Sequence, residues 1–174
     1  MARAEGESTA ESPPRHFGGQ RSFGLGPNVG FGTGAGATIG TVFDPVGLWL
    51  SGGYIPVFVF GNKHDVDKTL TFDAYSSAQI DADVSMMPWH AGKRIDFGLL
   101  LGYRYNTLLG HGVSAGPGLQ LDLSSALGLF FSITYSVFPA AQDRLAPRAG
   151  YPTDRDASIP WLQGGGNLGL IFYP

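Results

Sequence analysis

Residues 68–86 read KTLTFDAYSSAQIDADVSM. Every second residue falls into one of two sets. Leu70, Phe72, Ala74, Ser76, Ala78, Ile80, Ala82, Val84 and Met86 are almost all apolar, whereas Thr69, Thr71, Asp73, Tyr75, Ser77, Gln79, Asp81, Asp83 and Ser85 are almost all polar. A period of two places these sets on opposite faces of a β-strand. Strands usually run about 3–10 residues, so this one is long, and the architecture turns on which face meets water.

The composition narrows the choice. The chain has 174 residues, enough for one domain. Only 14% of them are charged, against about 25% in an ordinary soluble domain. Glu occurs only at Glu5, Glu7 and Glu11, and Lys only at Lys63, Lys68 and Lys93, while there are 27 glycines. Helix-surface residues are scarce, and Gly, Thr, Tyr and Phe stand in their place, as in a β protein. With no cysteine, disulfides, thiol catalysis and thiolate metal sites are excluded. A net charge of -3 and a pI near 5.7 leave no nucleic-acid footprint. MARAEGESTAESPPRH has no apolar signal core, so an exported protein would be a mature form with an added Met1. Met1 to Pro14 reads as a disordered tail and residues 15–174 as the folded domain.

Alternation continues on both sides of the opening stretch. Arg15 to Pro27 is a weak first strand, followed by a Gly-Pro-Asn turn at Gly26 to Asn28. Asn28 to Phe43 sets Val29, Phe31, Ala35, Ala37, Ile39 and Phe43 against a face of glycines, which would leave room for bulky neighbours across a narrow interior. After Asp44-Pro45, Val46 to Phe60 is apolar on both faces. Gly61 to Asp67 is a loop and Met87 to Lys93 a turn. Strands follow at Arg94 to Thr107, Val113 to Leu123, Leu127 to Val137 and the C-terminus, with a long loop from Pro139 to Pro160. That makes eight strands and no helix.

A soluble barrel would turn its apolar faces inward. Eight strands enclose an interior just wide enough for side chains, and the Leu, Phe, Ile, Val and Tyr sets are too bulky to share it. The Gly, Ser, Thr and Asn sets are too small to make a soluble exterior. Inversion resolves both problems, with the bulky faces toward lipid and the small and ionic ones toward a polar lumen. Lipid requires every backbone group to be paired internally, which closed barrels achieve. The expected fold is therefore all-β, an eight-stranded antiparallel up-and-down transmembrane β-barrel. Val46 to Asn62 and Leu123 to Gln142 are charge-free and near spanning-helix length. Their Gly, Pro, β-branched and aromatic content, and a mean hydropathy of +0.04, argue against helices.

In alternation and aromatic strand ends, residues from Arg15 to Pro174 resemble the small eight-stranded outer-membrane proteins of Gram-negative bacteria. In that family the last strand carries alternating apolar residues ending in an aromatic, which the assembly machinery reads. Leu168, Leu170 and Phe172 look like that signal, although Tyr173 and Pro174 follow. The resemblance implies an outer-membrane location and contact with membrane lipid, lipopolysaccharide and the assembly machinery. A monomer without cofactor or metal is expected. A periplasmic C-terminus would place Asp44-Pro45, Met87 to Lys93 and Ser124 to Ala126 on the periplasmic side, and Pro139 to Pro160 outside.

Two sets of residues are candidates for function. Asp73, Gln79, Asp81, Asp83, Arg94, Asp96, Arg104, Gln120 and Asp122 belong to the inward lists and would form a polar and ionic network plugging the lumen, since buried charge needs a partner. Trp49, Tyr54, Trp89, Tyr103, Tyr105, Tyr135, Trp161 and Tyr173 fall mostly near strand ends, as an interfacial aromatic girdle would. His16, His64, His90 and His111 are scattered, so a shared metal site is not expected. His111 with Ser114 resembles the His and Ser of small barrel lipid A deacylases, but every glutamate lies in the tail and no triad assembles. The leading expectation is a structural or loop-mediated role. A narrow pore for small solutes and a lipid-modifying barrel enzyme are the alternatives.

Overall fold

In the computed structural model, which describes residues 23–43, 45–62, 70–92, 94–148, 157–158 and 162–174, eight antiparallel strands close into a ring. They are β1 (Gly24–Gly30), β2 (Gly34–Phe43), β3 (Val46–Asn62), β4 (Leu70–Ala91), β5 (Ile95–Asn106), β6 (Gly110–Asp122), β7 (Leu127–Val137) and β9 (Leu162–Phe172). Each pairs with the next along the chain, and β9 closes the ring between β7 and β1. Between β7 and β9 lie the short helix α1 (Ala141–Leu145) and the two-residue strand β8 (Ala157–Ser158). The expected tail, most of the expected first strand, His16, His64 and Trp161 lie outside the described residues.

The barrel is inside out. Leu48, Leu50, Phe58, Phe72, Ile80, Val84, Leu99, Val113 and Phe131 are exposed, while Ser51, Ser77, Gln79, Asp81, Ser85, Asn106, Ser132 and Thr134 are buried in the interior. On β5 alone, Leu101 is 65% exposed and Arg104 2%. Water cannot be the solvent of such an exterior, and a closed ring is the form of sheet that leaves no edge in lipid. Val46–Asn62, weighed above as a helix, is strand β3, and among the described residues no helix is long and apolar enough to cross a membrane.

Local structure departs from the sequence reading in three places. Asn28 to Phe43 is not one strand, because it folds at Phe31–Thr33 into the β1–β2 hairpin with Gly30 opposite Gly34. Positions four apart share a face, so the turn keeps the alternation in phase and is silent in the sequence. The bend is made possible by Gly34, whose φ of 76° a side chain would strain. Gly26 and Pro27, expected in a turn, are consequently part of β1.

The expected turn at Met87 to Lys93 is shorter than expected, because Met87 to Ala91 is strand. β4 continues to Ala91 through a bulge between Met86 and Trp89, where Pro88 can sit without breaking the ladder. The extra residue shifts the phase by one. Trp89 consequently points out and His90 in, beside Asp96.

The third departure is α1, where a loop alone was expected. It explains why β3 is apolar on both faces. Val57 and Val59 face inward and pack with Leu109, Phe138, Ala141, Leu145 and Ala146 in a buried cluster at the loop end of the barrel. The segment after β7 is an apolar stopper.

Leu101 lies mid-strand on the outer face, so Leu101→Arg tests sidedness. In the lipid-facing setting an arginine there costs about 2–4 kcal/mol at the bilayer midplane. The expected result is a lower urea midpoint for unfolding from lipid vesicles, with m unchanged. Unaltered stability would mean that this face meets water.

Candidate functional site: the closed lumen

The lumen is organised by a turn that dips into it. Phe31–Thr33 joins β1 to β2 partway up the wall, and Gly32 and Thr33 are buried inside. The Gly32 carbonyl accepts hydrogen bonds from Arg104 Nη1 at 2.6 Å and Gln79 Nε2 at 2.8 Å. From the other side, the backbone N–H groups of Gly32 and Thr33 both donate to Asn167 Oδ1 at 2.9 Å. A Cβ on Gly32 would fall 2.8 Å from the Asn167 amide atoms, so only glycine allows this approach.

Arg104 reaches this turn from β5 and continues across the barrel. Its Nη2 donates to Thr134 Oγ1 on β7 at 2.9 Å, and its Nε lies 3.5 Å from Asp81 Oδ1, an ion pair without a hydrogen bond at that nitrogen. Gln79 ties in the same carboxylate, with Nε2 at 2.9 Å from Asp81 Oδ1. Asn106 extends the chain upward: its Nδ2 donates to Gln79 Oε1 at 3.2 Å, and its Oδ1 accepts from the N–H groups of Leu108 and Leu109 at 2.9 and 3.0 Å. Asp83 lies on the same face as Asp81, with Ser114 Oγ at 3.5 Å. Gly102, opposite it in the ladder, leaves the space, since a Cβ there would fall 1.8 Å from the carboxylate.

Below this network the interior becomes mixed. A cavity of about 40 Å³ lies among Thr38, Ser51, Asp83, Arg104, Leu100, Phe130 and Ile171. Water needs at least about 10–15 Å³ of such space, so the cavity has room for only a few molecules. Trp49 Nε1 donates to Ser85 Oγ at 3.0 Å beneath it. Toward the chain termini, Gln120 Nε2 donates to Asp122 Oδ1 at 3.1 Å and to the Tyr173 hydroxyl at 3.0 Å, and His90 Nδ1 meets Asp96 Oδ1.

The candidate residues therefore separate. Gln79, Asp81, Asp83, Asp96, Arg104, Gln120 and Asp122 are all buried inside, and Asp73 is half-buried on the same face. They form distinct clusters, because Asp96, Gln120 and Asp122 bond near the terminal end rather than with Arg104. Arg94 corrects the list: it lies in the turn before β5 and is exposed. Gly32, Thr33, Asn106, Thr134 and Asn167 are central yet absent from the sequence-derived set. Asn167 stood on an inward list and could have been picked up there, but the Gly32 turn had no signal.

Two girdle residues are corrected as well. Trp49 and Tyr173 are buried inside. Trp49 sits at an inward position of β3, and Gly40 opposite it makes room for the indole, since a Cβ there would fall 2.3 Å from the ring. Tyr54, Trp89, Tyr103 and Tyr135 are exposed on the outer face, and Tyr105 is half-buried there. Leu168 and Phe172 point outward, with Leu170 half-buried on the same face. His111 is exposed beside the Tyr103 hydroxyl while Ser114 is buried inside, so the barrel wall separates that pair.

A closed ring of eight antiparallel strands with an apolar exterior and a hydrogen-bonded polar interior defines a transmembrane β-barrel, and the resemblance to small eight-stranded outer-membrane barrels holds at the level of architecture. Neither a family model nor a curated protein matches the chain. Among solved structures it is similar to Acinetobacter baumannii CarO2, at 15% identity and a TM-score of 0.40, over 90% of this chain and 100% of that one. It is also similar to OmpT, an outer membrane protein of Vibrio cholerae, at 11% identity and a TM-score of 0.26, over 88% of this chain and 61% of that one.

Removing one partner of a buried ion pair leaves the other charge uncompensated, at a cost of about 3–5 kcal/mol. Arg104→Met is expected to lose that much unfolding free energy in a urea titration of detergent-folded protein. Arg104→Met with Asp81→Asn is expected to recover a large part of it. Equal loss in the single and double variants would mean that the two residues are not coupled.

Proposed function

We propose that this protein is an outer-membrane barrel of a Gram-negative bacterium whose lumen is closed, and that it acts through its exterior and its loop end rather than as a conduit. The observation that carries the reading is the Arg104 side chain, which crosses the interior from β5 to the Gly32 carbonyl and to Thr134 on β7. A guanidinium held by three partners is not a gate that thermal motion opens. Above it, Val57, Val59, Leu109, Phe138 and Leu145 exclude water from the loop end.

At that end Arg144 Nη2 and Arg148 Nη1 both donate to the Thr107 carbonyl at 3.4 Å, which holds two cations at the mouth. Guanidinium groups in this position suit the phosphates of lipopolysaccharide. In this reading Leu168, Leu170 and Phe172 are the surface offered to the assembly machinery, the chain functions as a monomer without cofactor, and the termini face the periplasm. The contacts that serve an interaction role are then those of the loop end.

Planar-bilayer recording tests the closed lumen. Reconstituted protein is expected to give no steady conductance in molar salt, and Arg104→Ser is expected to raise brief openings above that baseline. A stable unitary conductance from the unmodified protein would overturn this reading in favour of a narrow pore.

A further inference from the structure

Among the described residues, the barrel wall has a window. β1 and β2 turn back at Phe31–Thr33, so β2 covers β3 only as far as Tyr54, and β1 covers β9 only as far as Gly166, whose carbonyl accepts from the Phe31 N–H. On the β2 side, among the described residues, nothing pairs with β3 from Ile55 until Phe60 and Gly61 meet β8. On the β1 side, β9 from Leu162 to Gly165 is likewise without a strand partner there. The turn is the lower edge of this gap, and β3 and β9 are its sides.

The window opens into a recess of about 390 Å³ lined by Phe31, Pro56, Phe58, Phe60, Leu162 and Gln163, among others. We propose that this recess is a binding site for the acyl chain of a lipid taken from the surrounding membrane. Three features favour that occupant.

The lining is aromatic and aliphatic with one polar side chain, and it is continuous with the lipid-facing exterior, where Phe72 stacks against Phe58 with ring centroids 5.6 Å apart. The size falls within the range of about 300–1,000 Å³ typical of small-molecule pockets and is too confined for a folded partner. Finally, Pro56 has no N–H to offer an added strand, and natural edges carry proline where pairing is to be discouraged. Lipid enters sideways, its chain against the phenylalanines and its polar end toward Gln163.

The inference rests on the membrane reading, and its test separates the two. The protein is reconstituted in vesicles containing a phospholipid with a photoreactive diazirine on its acyl chain, and the labelled peptides are mapped by mass spectrometry. Labelling at Phe58, Phe60 and Leu162 is expected to exceed that at Leu101 and Val113 by about tenfold, the ratio that 1.4 kcal/mol of preference gives. Leu162→Trp, which fills the recess from the outer face, is expected to abolish the excess. Phe58→Ala is expected to reduce it.

Even labelling around the barrel, or an excess indifferent to Leu162→Trp, would overturn the site. Cross-links between two copies through these residues would replace the lipid with a second chain and overturn it too. The heat-dependent shift in gel mobility of each variant reports barrel closure separately. Its presence with even labelling rejects the site alone, and its absence in the unmodified protein rejects the membrane reading as well.

Discussion

A guanidinium buried in a barrel must be met by acceptors on every side, and Arg104 is met by three elements that lie far apart in the chain. The Gly32 carbonyl comes from the β1–β2 turn, the Thr134 hydroxyl from β7 and the Asp81 carboxylate from β4. A charge in low dielectric is costly alone and stable only when its neighbours are fixed. The strands are held at that separation by the partners that Arg104 reaches across the interior. The exterior, by contrast, asks only to be apolar.

The turn at Gly32 carries this constraint outward. Arg104 and Gln79 hold its carbonyl, Asn167 holds its amides, and so it is drawn into the lumen below the rim. The hairpin that it closes is therefore short, and the wall above it ends early. Among the described residues, the same contacts that fill the middle of the barrel leave β3 and β9 without strand partners above the turn. On the inner side, the stopper built on α1 packs against Val57 and Val59 in the long part of β3. The filled interior and the short β1–β2 hairpin follow from one arrangement.

Much of this was legible in the sequence, and the rest was hidden for definite reasons. The period of two in residues 70–86 and 95–106 gave strand, face and the inverted solvent preference, because a strand with lipid on one face and a polar interior on the other must alternate. Where two hairpin arms meet through a loop that preserves the phase, as at Phe31–Thr33, the alternation runs on and the turn vanishes. Where a bulge adds one residue, as after Met86, the phase breaks and a strand reads as a loop. Trp49 and Tyr173 were assigned outward from residue type, although Trp49 shares the parity of Ser51 and Tyr173 that of Ile171, both buried inside, and position prevailed. Arg94 kept the parity of an inward residue but lies just beyond the start of its strand, where parity no longer sets direction. The partners of Arg104 are uncharged, and a sequence does not distinguish a threonine that lines a wall from one that holds a guanidinium.

The central claim is that the bulky face of each strand meets lipid. The chain has no cysteine of its own, so single nitroxide labels can be placed at Leu99, Leu101, Val113 and Ala115 on the outer face of β5 and β6. Their collision rates with molecular oxygen and with a water-soluble nickel chelate, measured by electron paramagnetic resonance in vesicles, are the most direct test. The account requires oxygen collisions to dominate at all four positions, as they do in hydrocarbon. Dominant nickel collisions at these positions would place the face in water and contradict it.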